Sequence, residues 1–397
     1  GPVADGPPGG WPGPAVDLRA EAVLPGDIAF GGAPIPQGPP RRVLLTGATG
    51  FLGAYLLAGL LRAAEADVHC LVRGDDPAGR LRGNLARYGL WDDRFTGRIV
   101  PERGDLGLPG LGLPTTRFAE LADTVDLVVH NGALVNFALP YRRLRGANVD
   151  AVLDVLRLGA SGRITTPVHL VSTLGVHLTP GERTVREGDP LPDPGALHLG
   201  YDQSKWVADR LADDARRTGL PVAIHRPARV AGDSRTGTPA PGDFLGRLFA
   251  TCAGLGAVPD GERLDMAPVD HVAAAIAHLA AARATGDFHY YNPRVLGSAE
   301  LAEGLRDHGF PVRLVPGPEW RRLVRDRLAA GDEVPIAPYP AFFAEYGGLP
   351  GPSFDCSATE RALAAAGLAC PPADGKLLDL YLDGYTRAGV LEGGCRV

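Results

Sequence analysis

The sequence predicts an α/β protein built on a Rossmann-type doubly wound parallel sheet, with a smaller, mainly helical C-terminal lobe. Three observations carry that expectation. Five short apolar runs lack polar alternation: Val43-Leu44-Leu45, Val68-His69-Cys70-Leu71-Val72, Leu127-Val128-Val129, Val168-His169-Leu170-Val171 and Val222-Ala223-Ile224. Such runs are strands covered on both faces, as in a parallel sheet flanked by helices. Segments with helical spacing separate several of them, at 51–64, 141–158 and 201–217, which is the alternation of a doubly wound fold. A glycine-rich turn, Gly47-Ala48-Thr49-Gly50, then leads from the first strand straight into the first helix.

In chain order, residues 1–40 read as a linker and lead-in, because Pro and Gly interrupt them and no period is sustained. Asp17 to Leu24 is the one stretch there suited to a short helix before Pro25. Residues 41–240 carry the alternation and form the Rossmann domain. Beyond about 227 short helical pieces follow at 243–252, 268–283, 297–308, 317–329 and 375–390. The stretch 264–292 is expected to return to the sheet, and the rest of 241–397 to form the C-terminal lobe.

At 397 residues the chain is long for one core. A net charge of -6 leaves no basic footprint, so nucleic acid is not an expected partner. The five cysteines (Cys70, Cys252, Cys356, Cys370, Cys395) form no C-x-x-C pair and have no histidines at zinc spacing. No metal is expected, and reduced thiols point to a cytoplasmic location. No apolar run is long enough to span a bilayer, and the first residues have neither the basic start nor the apolar core of a signal peptide.

The glycine turn has a chemical reading. Gly47 permits the tight bend, Gly50 lets backbone N–H groups approach a pyrophosphate, and Gly53 lets helix and sheet pack closely. The helix N-terminus adds a positive dipole end. Thr46, Gly47, Thr49, Gly50, Phe51, Leu52 and Gly53 are therefore assigned to a dinucleotide. An NAD-specific protein commonly has an acid about 20 residues further on, for the ribose 2′-OH. Here Arg73 ends the second strand and Arg82 follows, which suits a 2′-phosphate and hence NADPH; Asp75 and Asp76 stand close by. Asp105 and Leu106 are placed near the adenine, and Asn131 beside the cofactor at the end of the 127–129 strand.

A second constellation begins at Tyr201. In Tyr201-Asp202-Gln203-Ser204-Lys205 the phenol and the ammonium are four residues apart, hence on one helix face. An ammonium and a cationic nicotinamide favour the phenolate and pull its pKa toward neutrality. Tyr201 can then protonate an oxyanion left by hydride transfer, while Lys205 also holds the nicotinamide ribose. The 168–171 strand ends in Ser172-Thr173; a hydroxyl there can stabilise the same oxygen, and Thr173 is preferred. Asn148 is read either as support for a relay water near Lys205 or as a packing residue.

With these motifs in place, the chain resembles the extended short-chain dehydrogenases. More narrowly, it resembles the terminal thioester reductase (R) domains of non-ribosomal peptide synthetases, kin to carboxylic acid reductases. The stretches that carry the likeness are DLRAEAVLPGDI, VLLTGATGFLGAYLL, HCLVRG, HNGALVNF, VSTLGV, GYDQSKWVADRL, HRPARVAGDSRTG and APVDHVAAAI. The resemblance implies that an acyl or peptidyl thioester, carried on the phosphopantetheine arm of a carrier protein, is reduced by NADPH to an aldehyde; a second hydride would give a primary alcohol. It puts the catalytic triad on Thr173, Tyr201 and Lys205, Pro227 beside the nicotinamide, and Gly232 to Gly237 facing the substrate. It also makes 174–200 a candidate gating loop and the chain a monomeric module of a larger synthetase. Gly132 departs from the alanine expected in HNAA. Competing readings are a non-redox, cyclising release domain, a nucleotide-sugar epimerase or dehydratase, and a non-catalytic nucleotide-sensing protein.

Overall fold

The computed structural model describes residues 16–179, 181, 183–339 and 352–392. The first fifteen residues of the expected linker and Cys395 lie outside them.

Seven parallel strands make the central sheet: β1 (Arg42–Thr46), β2 (Asp67–Val72), β3 (Ile99–Arg103), β4 (Leu127–His130), β5 (Val168–Val171), β6 (Val222–Pro227) and β7 (Gly286–Tyr290). Their order is β7-β6-β5-β4-β1-β2-β3. Sequence order reverses between β1 and β4, which opens a crevice at their C-terminal ends. The interior strands are apolar and buried because helices cover both faces. On one face lie α2 (Phe51–Ala63), α3 (Pro77–Arg87) and α8 (Val269–Ala281). On the other lie α4 (Thr115–Thr124), α5 (141–161) and α6 (Gly200–Arg217). Helix α5 runs as Tyr141–Arg145, a π-helical turn Gly146–Asp150, and Ala151–Ser161 without a break.

Two elements of the sheet were not among the apolar runs. β3 is an edge strand with Pro101 at its centre, a position where a missing N–H is tolerated. β7 returns from the later part of the chain and pairs with β6 from Gly286↔Ala223 to Tyr290↔Pro227.

Residues 16–40 are more than a linker. Asp17 caps α1 (Leu18–Glu21) by accepting from the amides of Arg19 and Ala20. Leu18, Ala22 and Ile28 are buried in the core beside α5 and α6. Glu21 accepts from Tyr141 Oη at 2.9 Å and Arg145 Nε at 2.6 Å, and Pro34 O accepts the Thr165 amide at 2.9 Å.

The lobe has its own core, formed by α7 (Phe244–Leu255), α9 (Ser298–Asp307), α10 (Gly317–Ala329) and α12 (Gly375–Arg387). The buried Trp320 indole donates to Ala257 O at 3.0 Å. Residues 241–397 are not one unit, however. Helix α11 (Ser357–Ala364) leaves the lobe and puts Leu363 into the core of the Rossmann face. Among the described residues no helix is long and apolar enough to cross a membrane.

Candidate active site

The turn after β1 is built around close backbone approach. Gly47 has φ +73°, and a Cβ there would sit 2.7 Å from the Gly132 backbone. A Cβ on Gly53 would run into the Gly47 carbonyl oxygen. Thr46 is fully buried: its hydroxyl accepts the Gly132 amide at 2.9 Å and lies 2.9 Å from His130 Nδ1. The hydroxyl keeps its proton and a second lone pair for that contact. Burial pushes the His130 imidazole down to about 3, so it is neutral and can accept. Thr46 thus ties β1 to β4, and its side chain is not available to a ligand. Asn131 Nδ2 reaches Gly47 O at 3.4 Å. Thr49 and Leu52 stay partly open on the crevice side of the turn, and the Phe51 ring packs edge-on against Tyr55 and Tyr88.

Gly132 has a physical reason. A Cβ at that position would lie 2.5 Å from Leu106 Cδ1, so Leu106 fills the volume an alanine would take.

A groove of about 500 Å³ opens at the ends of β2 and β3, lined by Arg73, Gly74, Arg103 and Asp105 among others. Asp75 pairs with Arg103 at 2.7 Å, and Asp76 caps α3 by accepting the Gly79 amide at 2.9 Å. Arg80 folds back to the Arg73 carbonyl. Arg82 is not in the groove lining; its guanidinium lies 4.9 Å above the Trp91 ring. The structure does not bring Arg73 and Arg82 together in the groove: Arg73 and Arg103 line it, and Arg80 is held on the Arg73 carbonyl. Asp105 Oδ1 accepts the Gly107 amide at 2.9 Å.

At the end of β5 the two hydroxyls part company. Ser172 is buried and donates to Asp209 Oδ2 at 2.7 Å. Thr173 is partly open; its Oγ1 accepts the Gly175 amide at 3.0 Å, capping the turn Leu174–His177, which leaves its O–H free to donate. Lys205, only 5% exposed, donates to Val171 O at 2.8 Å. Burial pushes its ammonium down to about 8, against the pull of Asp209. Tyr201 lies in the first turn of α6, four residues before Lys205. Its phenol has no hydrogen-bond partner among the described residues, and Phe137 packs edge-on against it at 5.2 Å. Burial, then the neighbouring Asp202 carboxylate, push the phenol well above its usual range. The downward pull expected from Lys205 is not what governs it. The protonated form, which is the form a proton donor needs, is favoured. Asn148 is a packing residue: it accepts the Leu134 amide at 2.7 Å and donates to Ser204 Oγ at 2.9 Å, tying the loop after β4 to α6.

A family described as male sterility protein, an NAD-binding family, matches residues 45–276. The chain is 39% identical, with a TM-score of 0.89, to the terminal R domain of the myxalamid biosynthetic pathway, covering 96% of this chain and 99% of that one. The chain belongs to the terminal R domains of non-ribosomal peptide synthetases. It is also 39% identical over 371 residues to a linear gramicidin synthase protein of Brevibacillus parabrevis, covering 90% of this chain and 7% of that protein. With the isonitrile lipopeptide synthase of Streptomyces coeruleorubidus it shares 37% identity, over 96% of this chain and 27% of that protein. The chain thus spans only a small part of these synthetases. Membership makes it an oxidoreductase with a nicotinamide cofactor.

Several residues that serve this R-domain site escaped the motif reading. Asn84 of α3 donates to the carbonyls of Ala48 and Gly50, both at 3.0 Å, and so clamps the glycine turn from outside. Arg226 at the end of β6 is buried at 2% exposure and makes two bonds to Asp209, at 2.9 and 2.8 Å, and one to Asp287 at 2.8 Å. Pro227 follows it as the buried last residue of β6. The 232–237 turn is held by Asp233, whose Oδ1 accepts the amides of Arg235 and Thr236. Gly232 O accepts from Tyr381 of α12 at 2.8 Å.

The 174–200 segment is laced down on three sides. Thr184–Val185 pairs with Ser353–Phe354. Trp206 Nε1 of α6 donates to Pro192 O at 2.9 Å, and Arg19 near α1 pairs with Asp193. Glu187 accepts from the Ala358 and Thr359 amides, both at 2.8 Å, and from the Thr359 hydroxyl. A carboxylate from a distant segment therefore caps the N-terminus of α11, whose own N-cap position has no side-chain bond.

Gly53→Ala is expected to abolish cofactor binding at submillimolar NADPH, because the new methyl can be housed only by moving the Gly47 carbonyl that shapes the turn. Fluorescence titration with NADPH checks this, and an affinity within threefold of wild type would contradict it.

Proposed function

We propose that the chain releases a carrier-protein-bound acyl or peptidyl thioester reductively, with NADPH, as an aldehyde. The reading is supported by Thr173 just past the end of β5, Lys205 bonded to the Val171 carbonyl of the same strand, and Tyr201 one helical turn before Lys205 on α6. The identity with R domains supports it.

The residues present suit a dinucleotide. Gly47 and Gly53 leave no room for a side chain, and the turn leads into the N-terminus of α2 at the C-terminal end of β1. Arg73, Arg80 and Arg103 suit a 2′-phosphate, which favours NADPH over NADH. Asp105, Leu106 and Asn131 would border the adenosine and the pyrophosphate, Lys205 the nicotinamide ribose and Pro227 the ring. When bound, NADPH supplies a hydride to the thioester carbonyl carbon. Thr173 donates a hydrogen bond to the carbonyl oxygen, and Tyr201 gives that oxygen its proton as charge develops there. The resulting hemithioacetal returns its hydroxyl proton to the Tyr201 phenolate as the C–S bond breaks. The thiol of the carrier arm leaves with a proton from solvent, and the aldehyde remains. The Lys205 ammonium, anchored on Val171 O, steadies the phenolate in the interval. A carrier protein bearing the thioester is the partner in this scheme, and a reduced, cytoplasmic setting suits the free thiols among the described residues.

The test is mass spectrometry of products from a panel of pantetheine thioesters. The expected product is the aldehyde or the alcohol beyond it, formed with stoichiometric NADPH oxidation and at least tenfold more slowly with NADH. A cyclised product of unchanged oxidation level, formed without NADPH, would replace this reading with the non-redox one.

A further inference from the structure

Tyr201 is the first member of a row of aromatic rings that leads into the C-terminal lobe. Phe137 meets Tyr201 at 5.2 Å and Tyr339 at 5.3 Å between ring centroids, and Tyr339 meets Phe244 at 5.2 Å. The row ends on a cation: the Arg229 guanidinium lies 4.3 Å above the Phe244 ring. Arg229 sits two residues past the end of β6. Its backbone is fixed on both sides, since its amide donates to Asp265 Oδ2 at 3.2 Å and its carbonyl accepts the Ala267 amide at 3.1 Å.

Its side chain is not so fixed. The guanidinium makes no ion pair and no hydrogen bond among the described residues. Asp265 is taken up by two backbone donors, the amides of Arg229 and Asn292. Glu262, Tyr291 and Tyr339 also border the arginine, and burial disfavours its charge. A half-buried guanidinium with no protein acceptor keeps its five donors for solvent or for a ligand that displaces it. The other buried arginine near the site, Arg226, has its carboxylates. Arg229 does not.

We infer that Arg229 is a substrate-binding residue, receiving a carbonyl or carboxylate oxygen of the thioester chain whose apolar part runs along Phe244, Tyr339 and Phe137 to Tyr201. This rests on the thioester-reductase reading above and adds to it a polar anchor and an aromatic wall. The acceptor oxygen can come from two sources, the amide carbonyls of the pantetheine arm or those of the acyl or peptidyl group. A planar fork stacked on an aromatic ring serves either source.

The experiment compares Arg229→Met and Arg229→Lys with wild type on three thioesters. These are octanoyl-N-acetylcysteamine, octanoyl-pantetheine, and an N-acyl dipeptidyl-N-acetylcysteamine. Binding of a non-reducible thioether analogue of each is measured by calorimetry alongside NADPH oxidation. Wild type is expected to prefer one of the acceptor-rich thioesters, and Arg229→Met to reduce that preference in kcat/KM about tenfold or more. The analogue affinity should fall in parallel, and Arg229→Lys should recover part of it. A loss confined to the pantetheine ester assigns the arm; a loss confined to the dipeptidyl ester assigns the acyl group. Unchanged preference and analogue affinity in Arg229→Met, or in Arg229→Lys if the first variant does not fold, would overturn the inference. If wild type reduces none of the thioesters, the functional reading fails instead, and the analogue titrations still report on Arg229.

Discussion

Tyr201→Phe is expected to lower kcat on any thioester substrate by about 10²–10⁴-fold, the usual contribution of a positioned general acid. NADPH affinity should stay within threefold of wild type. The separation of the two effects follows from the geometry. The phenol has no partner among the described residues and supports no neighbouring backbone, whereas Lys205 is bonded to Val171 O. Removing one oxygen therefore deletes the proton donor and leaves β5, α6 and the crevice in place. Burial and the Asp202 carboxylate hold the phenol protonated in the chain alone. The pH profile of wild-type kcat should accordingly show no loss of activity from Tyr201 ionisation below the usual phenol range. Stopped-flow NADPH oxidation and a fluorescence titration check both halves. Turnover within tenfold of wild type would remove Tyr201 from the mechanism.

Asp209→Ala is expected to destabilise the fold by about 3–5 kcal/mol, the usual cost of stripping one partner from a buried ion pair. The substitution leaves the Arg226 guanidinium with only Asp287, and Ser172 without its acceptor. It also removes the one carboxylate that favours the Lys205 ammonium. For a chain of this size the melting temperature should drop by roughly 5 °C, and the cofactor should bind more weakly. The double variant Asp209→Leu/Arg226→Met should recover much of that stability, because an apolar pair replaces the charged one without leaving either charge behind. Thermal denaturation of the single and double variants decides it. A single variant as stable as wild type would mean that the pair contributes nothing.

The sheet was legible because its interior strands are apolar runs with no alternation, and because a glycine turn joins the first of them to the first helix. β3 was not legible. As an edge strand it needs neither a full apolar face nor every N–H, so Ile99-Val100-Pro101-Glu102-Arg103 carries little strand signal. Arg73 and Arg82 are not brought together, for a geometric reason. Asp76-Pro77 is a helix start, and on the helix that follows Arg80 and Arg82 point to nearly opposite sides. One returns to Arg73 and the other covers Trp91. Ser172 and Thr173 cannot be told apart by composition; what separates them is Asp209, an acid on the buried side of α6. Glu187 carries no local signal at all, because its partners are Ala358 and Thr359, more than 170 residues further along.

That last contact bears on the order in which the molecule is completed. Synthesis from the N-terminus delivers all seven sheet strands by Tyr290, so the nucleotide crevice can assemble while later residues are still emerging. The fastening of the 174–200 segment cannot be completed so early. Thr184–Val185 and Glu187 find their partners only when 353–359 has been made. A nascent chain can therefore shape its nucleotide crevice before the 174–200 segment has been fastened down.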